Sequence, residues 1–377
     1  WLKEDVCRLV RITDRVTVLP PWTSRVPAVR RVEEGDRTYV VAQFSPDGKR
    51  LAVAYPDGSG QILSLGTDPP AEVSVSHGTN MLALAFSPDG RVLVTGAGNS
   101  IRLWSSETGE PIGQPRLQSG GLSDSPWIRP HLLFGPDSQT FAVWSRGGVQ
   151  LWSLTNDTPV TSPLRDPSTT VRCMSFSPDG RYLITGSEDF GLRVWSVATG
   201  EAVIRGISYA GAAARLEFTP DGERLLASCH AGITGASGQG GAIEVRRFRT
   251  PEGRSKQVRS KRGQVWVVDF HPDGSQFLVA GAVGPAEIWS TASLKLELEF
   301  GETTDLVWDA AYSPKGDRIV TAQEVLWGLT GGPNELSVLW SRDGKLLRVL
   351  EHGRGINGAC AFHPQGDVVA IGSWLRY

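Results

Sequence analysis

A five-residue turn recurs eight times along this chain, and its spacing restricts what the chain can fold into. The copies are FSPDG at 44–48, FSPDG at 86–90, FGPDS at 134–138, FSPDG at 176–180, FTPDG at 218–222, FHPDG at 270–274, YSPKG at 312–316 and FHPQG at 362–366. Their leading aromatics lie 42, 48, 42, 42, 52, 42 and 50 residues apart. In the fullest copies Pro presets φ at the first central position, Asp bonds nearby backbone, and Gly accepts positive φ. The stretch FSPDGRYLITGSEDFGLRVWSVATGE at 176–201 reads as strand end, turn, strand, loop, strand, turn. One such sheet cannot bury both of its faces, so it needs neighbours. A period of about 40–45 residues with four strands per unit is the signature of propeller blades. The predicted fold is therefore all-β: a propeller of four-stranded antiparallel blades, eight by motif count, with seven as the alternative. First strands are expected to begin near residues 38, 81, 129, 170, 212, 264, 306 and 356.

Trp closes the third strand of five units, at Trp104, Trp152, Trp195, Trp289 and Trp340. With the turn and the period, these residues make the chain resemble the WD-repeat (WD40) β-propeller family from about residue 26 onward. The resemblance implies a hydrogen-bonded tetrad of loop His, second-strand Ser or Thr, loop Asp, and the Trp. Carried over by position, the fourth unit has Thr185 or Ser187, Asp189 and Trp195, but no loop His. The second has His77 and Trp104, with Gly98 where Asp would stand. No unit holds all four, and each Trp is followed by Ser rather than Asp. Apolar packing is thus expected to carry most of the stability.

Residues 1–25 read as an N-terminal extension and 26–377 as a single propeller whose last blade is incomplete. The final motif is followed by one more strand before the chain ends at Tyr377. VPAVRRV at 26–32 is expected to supply the outer strand of that blade, and residues 6–12 to stand in for its third. The chain opens on Trp1 without a signal peptide, so it reads as part of a longer protein. Net charge is −2, which provides no global field toward nucleic acid or membrane. Apolar runs stay short, MLALAF at 81–86 being among the longest. The four cysteines are scattered, three of them in predicted strands, which favours free thiols and a cytoplasmic setting.

Chemistry is hard to find. No nucleophile elbow, phosphate loop or His-Glu-x2-His motif occurs, so no catalytic, cofactor or metal residues are assigned. His271 and His363 lie in turns, where exposure is the default expectation, and Asp47, Asp89, Asp137, Asp179, Asp221 and Asp273 are explained by the turn itself. The long intervals place insertions at 117–130, 229–242 and 323–334, all on the face conventionally called the top. Loops on a rigid scaffold are where binding evolves. Candidate partner-binding residues are Arg172, Trp266 and Trp308, four before their aromatics, with Glu188, Trp127 and Trp327. A basic strip comprises Arg246, Arg247, Arg249, Arg254, Lys256, Arg259, Lys261 and Arg262. It reads as a solvated edge, or as a site for an acidic partner; without interleaved aromatics it argues poorly for nucleic acid.

The functional expectation is a non-enzymatic scaffold or sensor module binding a protein, or another domain of its own chain, through the top face. The ATGE and TGEP segments resemble bacterial WD-repeat proteins, where such arrays are often fused to signalling domains. The alternative is a propeller enzyme or gating domain with a small ligand in a central channel.

Overall fold

The computed structural model describes residues 7–11, 41–55, 57–66, 71–78, 81–117, 122, 132–145, 148–156, 158–164, 171–187, 191–208, 212–230, 242–248, 256–260, 264–282, 284–301, 305–325, 334–351 and 356–374. They form two compact units, one of residues 38–208 and one of residues 1–37 with 209–377. Among the described residues every regular element is a strand.

Strand β1 (Cys7–Arg11) belongs to the second of these units. The unit of residues 38–208 holds four antiparallel sheets. The first contains β2 (Val41–Phe44), β3 (Arg50–Ala54), β4 (Ser59–Ser64) and β5 (Ala71–Ser76). The second contains β6 (Met81–Phe86), β7 (Val92–Ala97), β8 (Ser100–Ser105) and β9 (Arg116–Leu117). The third contains β10 (Leu132–Phe134), β11 (Thr140–Ser145) and β12 (Gly148–Ser153). The fourth contains β13 (Val171–Phe176), β14 (Tyr182–Ser187), β15 (Gly191–Ser196) and β16 (Ala202–Ser208).

The other unit also holds four. Its fifth sheet, counting along the chain, contains β17 (Ala212–Phe218), β18 (Arg224–His230), β19 (Ala242–Arg247) and β20 (Lys256–Arg259). The sixth contains β21 (Gln264–Phe270), β22 (Gln276–Ala282), β23 (Ala286–Ser290) and β24 (Leu296–Phe300). The seventh contains β25 (Asp305–Tyr312), β26 (Arg318–Val325), β27 (Asn334–Ser341) and β28 (Leu346–Glu351). The eighth pairs β29 (Ile356–Phe362) with β30 (Val368–Trp374), and β30 with β1, from Cys7↔Gly372 to Arg11↔Val368. Residues 26–32 lie outside the described residues.

The core lies between consecutive sheets. Val267, Leu278 and Ile288 of the sixth pack against Val307, Ile319 and Trp340 of the seventh. Ile101 and Leu103 of the second pack in the same way against Phe141 and Trp152 of the third. Each fully buried side chain of this size contributes about 1.5–3 kcal/mol. Neither face of a sheet would be covered without its neighbours.

The recurring turn holds the hairpin between first and second strands. Ser45 Oγ donates to Asp47 Oδ1 at 2.6 Å and accepts from Arg50 N–H at 2.9 Å, while Asp47 takes the Lys49 N–H at 3.0 Å. Ser87 with Asp89, Ser177 with Asp179, and Thr219 with Asp221 repeat the bond. Where Lys315 and Gln365 replace the Asp, the acid comes from one residue past the Gly. Ser313 Oγ donates to Asp317 at 2.8 Å, and His363 Nδ1 lies 3.3 Å from Asp367. Ser138, which replaces Gly in the third copy, nevertheless takes φ +57°. His271 and His363 are 4% and 7% exposed, not exposed as their turn positions suggest. Each ring occupies the place of the buried Ser, and His271 is covered by Tyr312, edge-on at 5.2 Å.

Turns also pack against one another. A Cβ built at Gly180 would lie 3.2 Å from Pro136 Cγ, and one at Gly274 would lie 3.1 Å from Pro220 Cδ. At Gly316 it would overlap the His271 ring. Gly316→Ala is therefore expected to destabilise the protein more than Gly90→Ala. At Gly90 the nearest atom would be 3.7 Å away, leaving mainly the positive-φ cost of about 1–2 kcal/mol. Urea midpoints of the two variants measure the difference.

The tetrad is present in pieces. Trp195 Nε1 donates to Thr185 Oγ1 at 2.9 Å and Trp340 Nε1 to Thr321 Oγ1 at 3.0 Å. In the second sheet Trp104 Nε1 and His77 Nε2 meet on Thr95 Oγ1, at 2.7 and 2.8 Å. Burial holds His77 neutral, with its pKa lowered to about 4. The sixth sheet has Val279 at the Thr position, opposite Glu287, and Trp289 Nε1 donates to Glu287 Oε2 at 2.9 Å instead. The third has Val143 there, and Trp152 Nε1 is buried without a hydrogen-bond partner. Asp189 lies outside the described residues. Thr185→Val is expected to cost about 1–3 kcal/mol by orphaning the Trp195 N–H, while Val143→Thr adds an acceptor and gains about 0.5–1.5 kcal/mol. Chemical denaturation reads both.

Candidate functional site

The position four before the turn aromatic is structurally distinct. At Leu82, Arg172, Ala214, Trp266, Trp308 and Gly358 the first strand skips one residue in its pairing with the second. A bulge redirects the side chain it carries and tightens the local twist. In the unit containing β17–β30 the bulged residues are, in order, Ala214, Trp266, Trp308 and Gly358. The two tryptophans stack with centroids 4.8 Å apart and planes inclined by 19°. Trp266 Nε1 donates to Gln264 Oε1 at 3.2 Å, and its ring leans on the apolar core shared by the sixth and seventh sheets. Small residues stand at the bulges on either side of the pair. Arg172 occupies the bulge of β13, in the other unit.

Three and one residues before the aromatic, the same strands carry charge. Arg215 and Glu217 lie on β17, Asp269 on β21 and Asp309 on β25. Each acid clasps a backbone N–H of the next first strand. Glu217 accepts from Phe270, Asp269 Oδ2 from Tyr312 at 2.7 Å, and Asp309 Oδ2 from Cys360 at 3.0 Å. Gln43 does this in the other unit, accepting from Phe86 N–H at 3.0 Å. Arg215 Nη1 lies 3.5 Å from Asp309 Oδ1.

Burial, then the charge of Asp269, raises the Glu217 carboxyl far above the ordinary range. Burial also raises Asp269, against the opposing pull of Arg215 and the Tyr312 N–H. Burial disfavours the Arg215 charge, but the surrounding carboxylates outweigh it and hold the guanidinium protonated. The Arg215 side chain keeps 43% of its surface exposed and Asp309 keeps 23%, so water reaches the cluster from one side and blunts the burial cost. The crowding of three carboxyls about one guanidinium remains. The sequence reading missed this constellation.

Of the other predicted site residues, Glu188, Trp127 and Trp327 lie outside the described residues, as do Arg249, Arg254, Lys261 and Arg262. The remaining basic residues share one sheet. Arg246 and Arg247 are on β19, Lys256 and Arg259 on β20. Arg246 Nε lies 3.8 Å from the buried Glu244, whereas Arg247, Lys256 and Arg259 are exposed. The insertion read at 323–334 is partly ladder: β26 and β27 stay paired to Val325↔Asn334, which leaves only 326–333 as connection. Cys229 and His230 likewise extend β18. Among the described residues no group of three His, Cys, Asp or Glu is arranged to hold a metal ion.

Comparison with known proteins agrees with this geometry. The family described as "WD domain, G-beta repeat" matches residues 71–105 and 158–196. The chain carries WD40 repeats. The C-terminal WD40 domain of Sif2 superposes with a TM-score of 0.69 at 12% identity, covering 90% of this chain and 95% of that one. The computationally designed Ika8 protein superposes at 0.66 with 16% identity, over 90% and 98%. These likenesses identify the fold as a WD40 β-propeller.

Among curated WD40 relatives, mouse WD repeat-containing protein 90 is 25% identical over 78% of this chain and 18% of its own length. Transcription initiation factor TFIID subunit 5 of Caenorhabditis elegans is 29% identical over 40% and 22%, respectively. Eukaryotic translation initiation factor 3 subunit I of Kluyveromyces lactis is 32% identical over 29% and 28%. The chain thus spans between 18% and 28% of the length of these three relatives. All three are eukaryotic, in contrast to the bacterial flavour of the ATGE segments.

The WD40 bulge is testable through its glycine. Gly281 faces the bulge of β21, and a Cβ there would overlap the Gln264 carbonyl and lie 3.0 Å from Trp266 N. Gly281→Ala is expected to displace Trp266, abolish the near-ultraviolet circular dichroism of the stacked pair, and cost about 1–3 kcal/mol.

Proposed function

We propose that this WD40 chain is a non-enzymatic interaction module. It binds a protein, or another domain of a longer chain, through the bulged ends of its first strands, where Trp266 and Trp308 provide the anchor. The observation that carries this reading is the stack itself. Two large half-buried aromatics sit side by side on rigid strands, between the small residues Ala214 and Gly358. Aromatic side chains with Arg dominate binding hot spots, and Arg172 holds the equivalent bulge in the other unit. Relatives that are subunits of larger factors support a scaffold role. The buried free thiols Cys173 and Cys360 fit a reducing compartment such as the cytoplasm. No helix among the described residues is long and apolar enough to cross a membrane.

A second reading has one observation in its favour. The Arg215–Glu217–Asp269–Asp309 cluster brings convergent polar groups and raised acids together, as a small-ligand or enzymatic site would require. Against it, Asp269 and Asp309 already spend an oxygen each on backbone N–H groups of the next strand. The exposed Arg247, Lys256 and Arg259 offer a lesser surface for an acidic partner.

Affinity capture from lysate tests the first reading, with wild type, Trp266→Ala/Trp308→Ala and Lys256→Glu/Arg259→Glu as baits and melting curves to establish folding. A partner held by wild type and by the charge variant, and lost by the folded tryptophan variant, is the expected result. Loss with the charge variant alone would move the site to the basic strip. Equal recovery by all three would overturn both placements.

A further inference from the structure

Charge and hydrogen-bond supply do not balance where β17, β21 and β25 meet. Asp309 makes the ion pair with Arg215 and accepts from Cys360 N–H. Asp269 accepts from Tyr312 N–H. Glu217 accepts from Phe270 N–H, yet its second oxygen, Oε2, is shut off from solvent and has no hydrogen-bond partner. The other titratable groups facing the cluster are the Tyr312 phenol on β25 and the Cys360 thiol on β29. Burial raises both, so both stay neutral. Arg215 pairs with Asp309 and lies within electrostatic reach of Glu217 and Asp269.

We propose that this cluster is a proton-operated latch between the first strands of the fifth and sixth sheets. It is closed when Glu217 is the neutral acid and pushed apart when Glu217 ionises beside Asp269. A neutral carboxyl removes the repulsion across the β17–β21 seam and lightens the demand on Arg215. The upward shift of Glu217 points the same way. The folded chain keeps a proton that the unfolded chain has already released above the ordinary glutamate range. The contribution of Glu217 to stability therefore falls as pH rises from that range to the raised value, and is constant below it. Asp269 and Asp309 share β21 and β25 with Trp266 and Trp308, so release of the proton is felt at the stack. This inference does not depend on the identity, or the existence, of a partner.

The test follows melting temperature and the infrared carboxyl C=O stretch of wild type and Glu217→Gln from about pH 5 to about pH 9. Wild type is expected to lose several degrees across the interval, and Glu217→Gln to lose less and only at the acidic end, where Asp269 gives up its own raised proton, so that the curves diverge above neutral pH. A protonated-carboxyl band should be present in wild type at neutral pH, shrink with alkalinity, and be missing from Glu217→Gln at neutral pH and above. Parallel melting curves, or no such band at neutral pH, would overturn the proposal. Should Glu217→Gln fail to fold, Asp269→Asn serves. By removing the neighbouring charge it should move loss of the band to lower pH, and an unmoved midpoint would be equally fatal.

Discussion

A sheet of three or four strands with apolar residues on both faces has no stable existence alone, and that dependence organises the rest of this molecule. The Phe141 and Trp152 side chains of the third sheet are buried only because Ile101 and Leu103 of the second lie against them. The recurring turn works within the same constraint. Its Ser, Thr or His is buried and bonded to an acid, which sets the hairpin, and its Gly packs on the Pro of the turn before. In most copies local geometry and neighbour packing are thereby met by the same five residues, and where Lys315 or Gln365 replaces the Asp the next residue but one supplies the acid. This is why the motif persists through exchanges such as Ser to His and Asp to Lys.

Much of this was legible in the chain. The expected first-strand starts at 81, 212, 264 and 356 coincide with β6, β17, β21 and β29, because an aromatic followed by a Pro-Asp-Gly turn marks a strand end with little ambiguity. The substitutes Asp317 and Asp367 were also visible, each one residue beyond its Gly, although a strict reading of the five-residue motif passes over them. The histidines were misjudged because turn residues are polar by habit, and a ring that replaces a buried hydroxyl breaks that habit.

The candidate site was less accessible. Leu82, Arg172, Ala214, Trp266, Trp308 and Gly358 share no chemistry, so nothing in their side chains announces a bulge; the backbone pairing with the second strand does. Trp266 and Trp308 stand out in the sequence by motif position and residue type; that both sit at bulges and stack on one another is visible only in the structure. The acidic cluster was hidden for a different reason. Glu217, Asp269 and Asp309 sit 52 and 40 residues apart in sequence and look like the polar half of an alternating strand. Only the adjacency of β17, β21 and β25 discloses that they share one arginine.

The pairing of β1 with β30 bears on how the protein is made. Cys7 finds its partner Gly372 across almost the whole sequence, whereas among the described residues every other ladder joins strands that follow one another in sequence. Closing a loop of that length carries an entropic cost of about 5 kcal/mol, well above that of any hairpin here. During synthesis β1 emerges long before its partner β30. Until then β1 is an unpaired edge, and so an opening for a chaperone or for a neighbouring nascent chain.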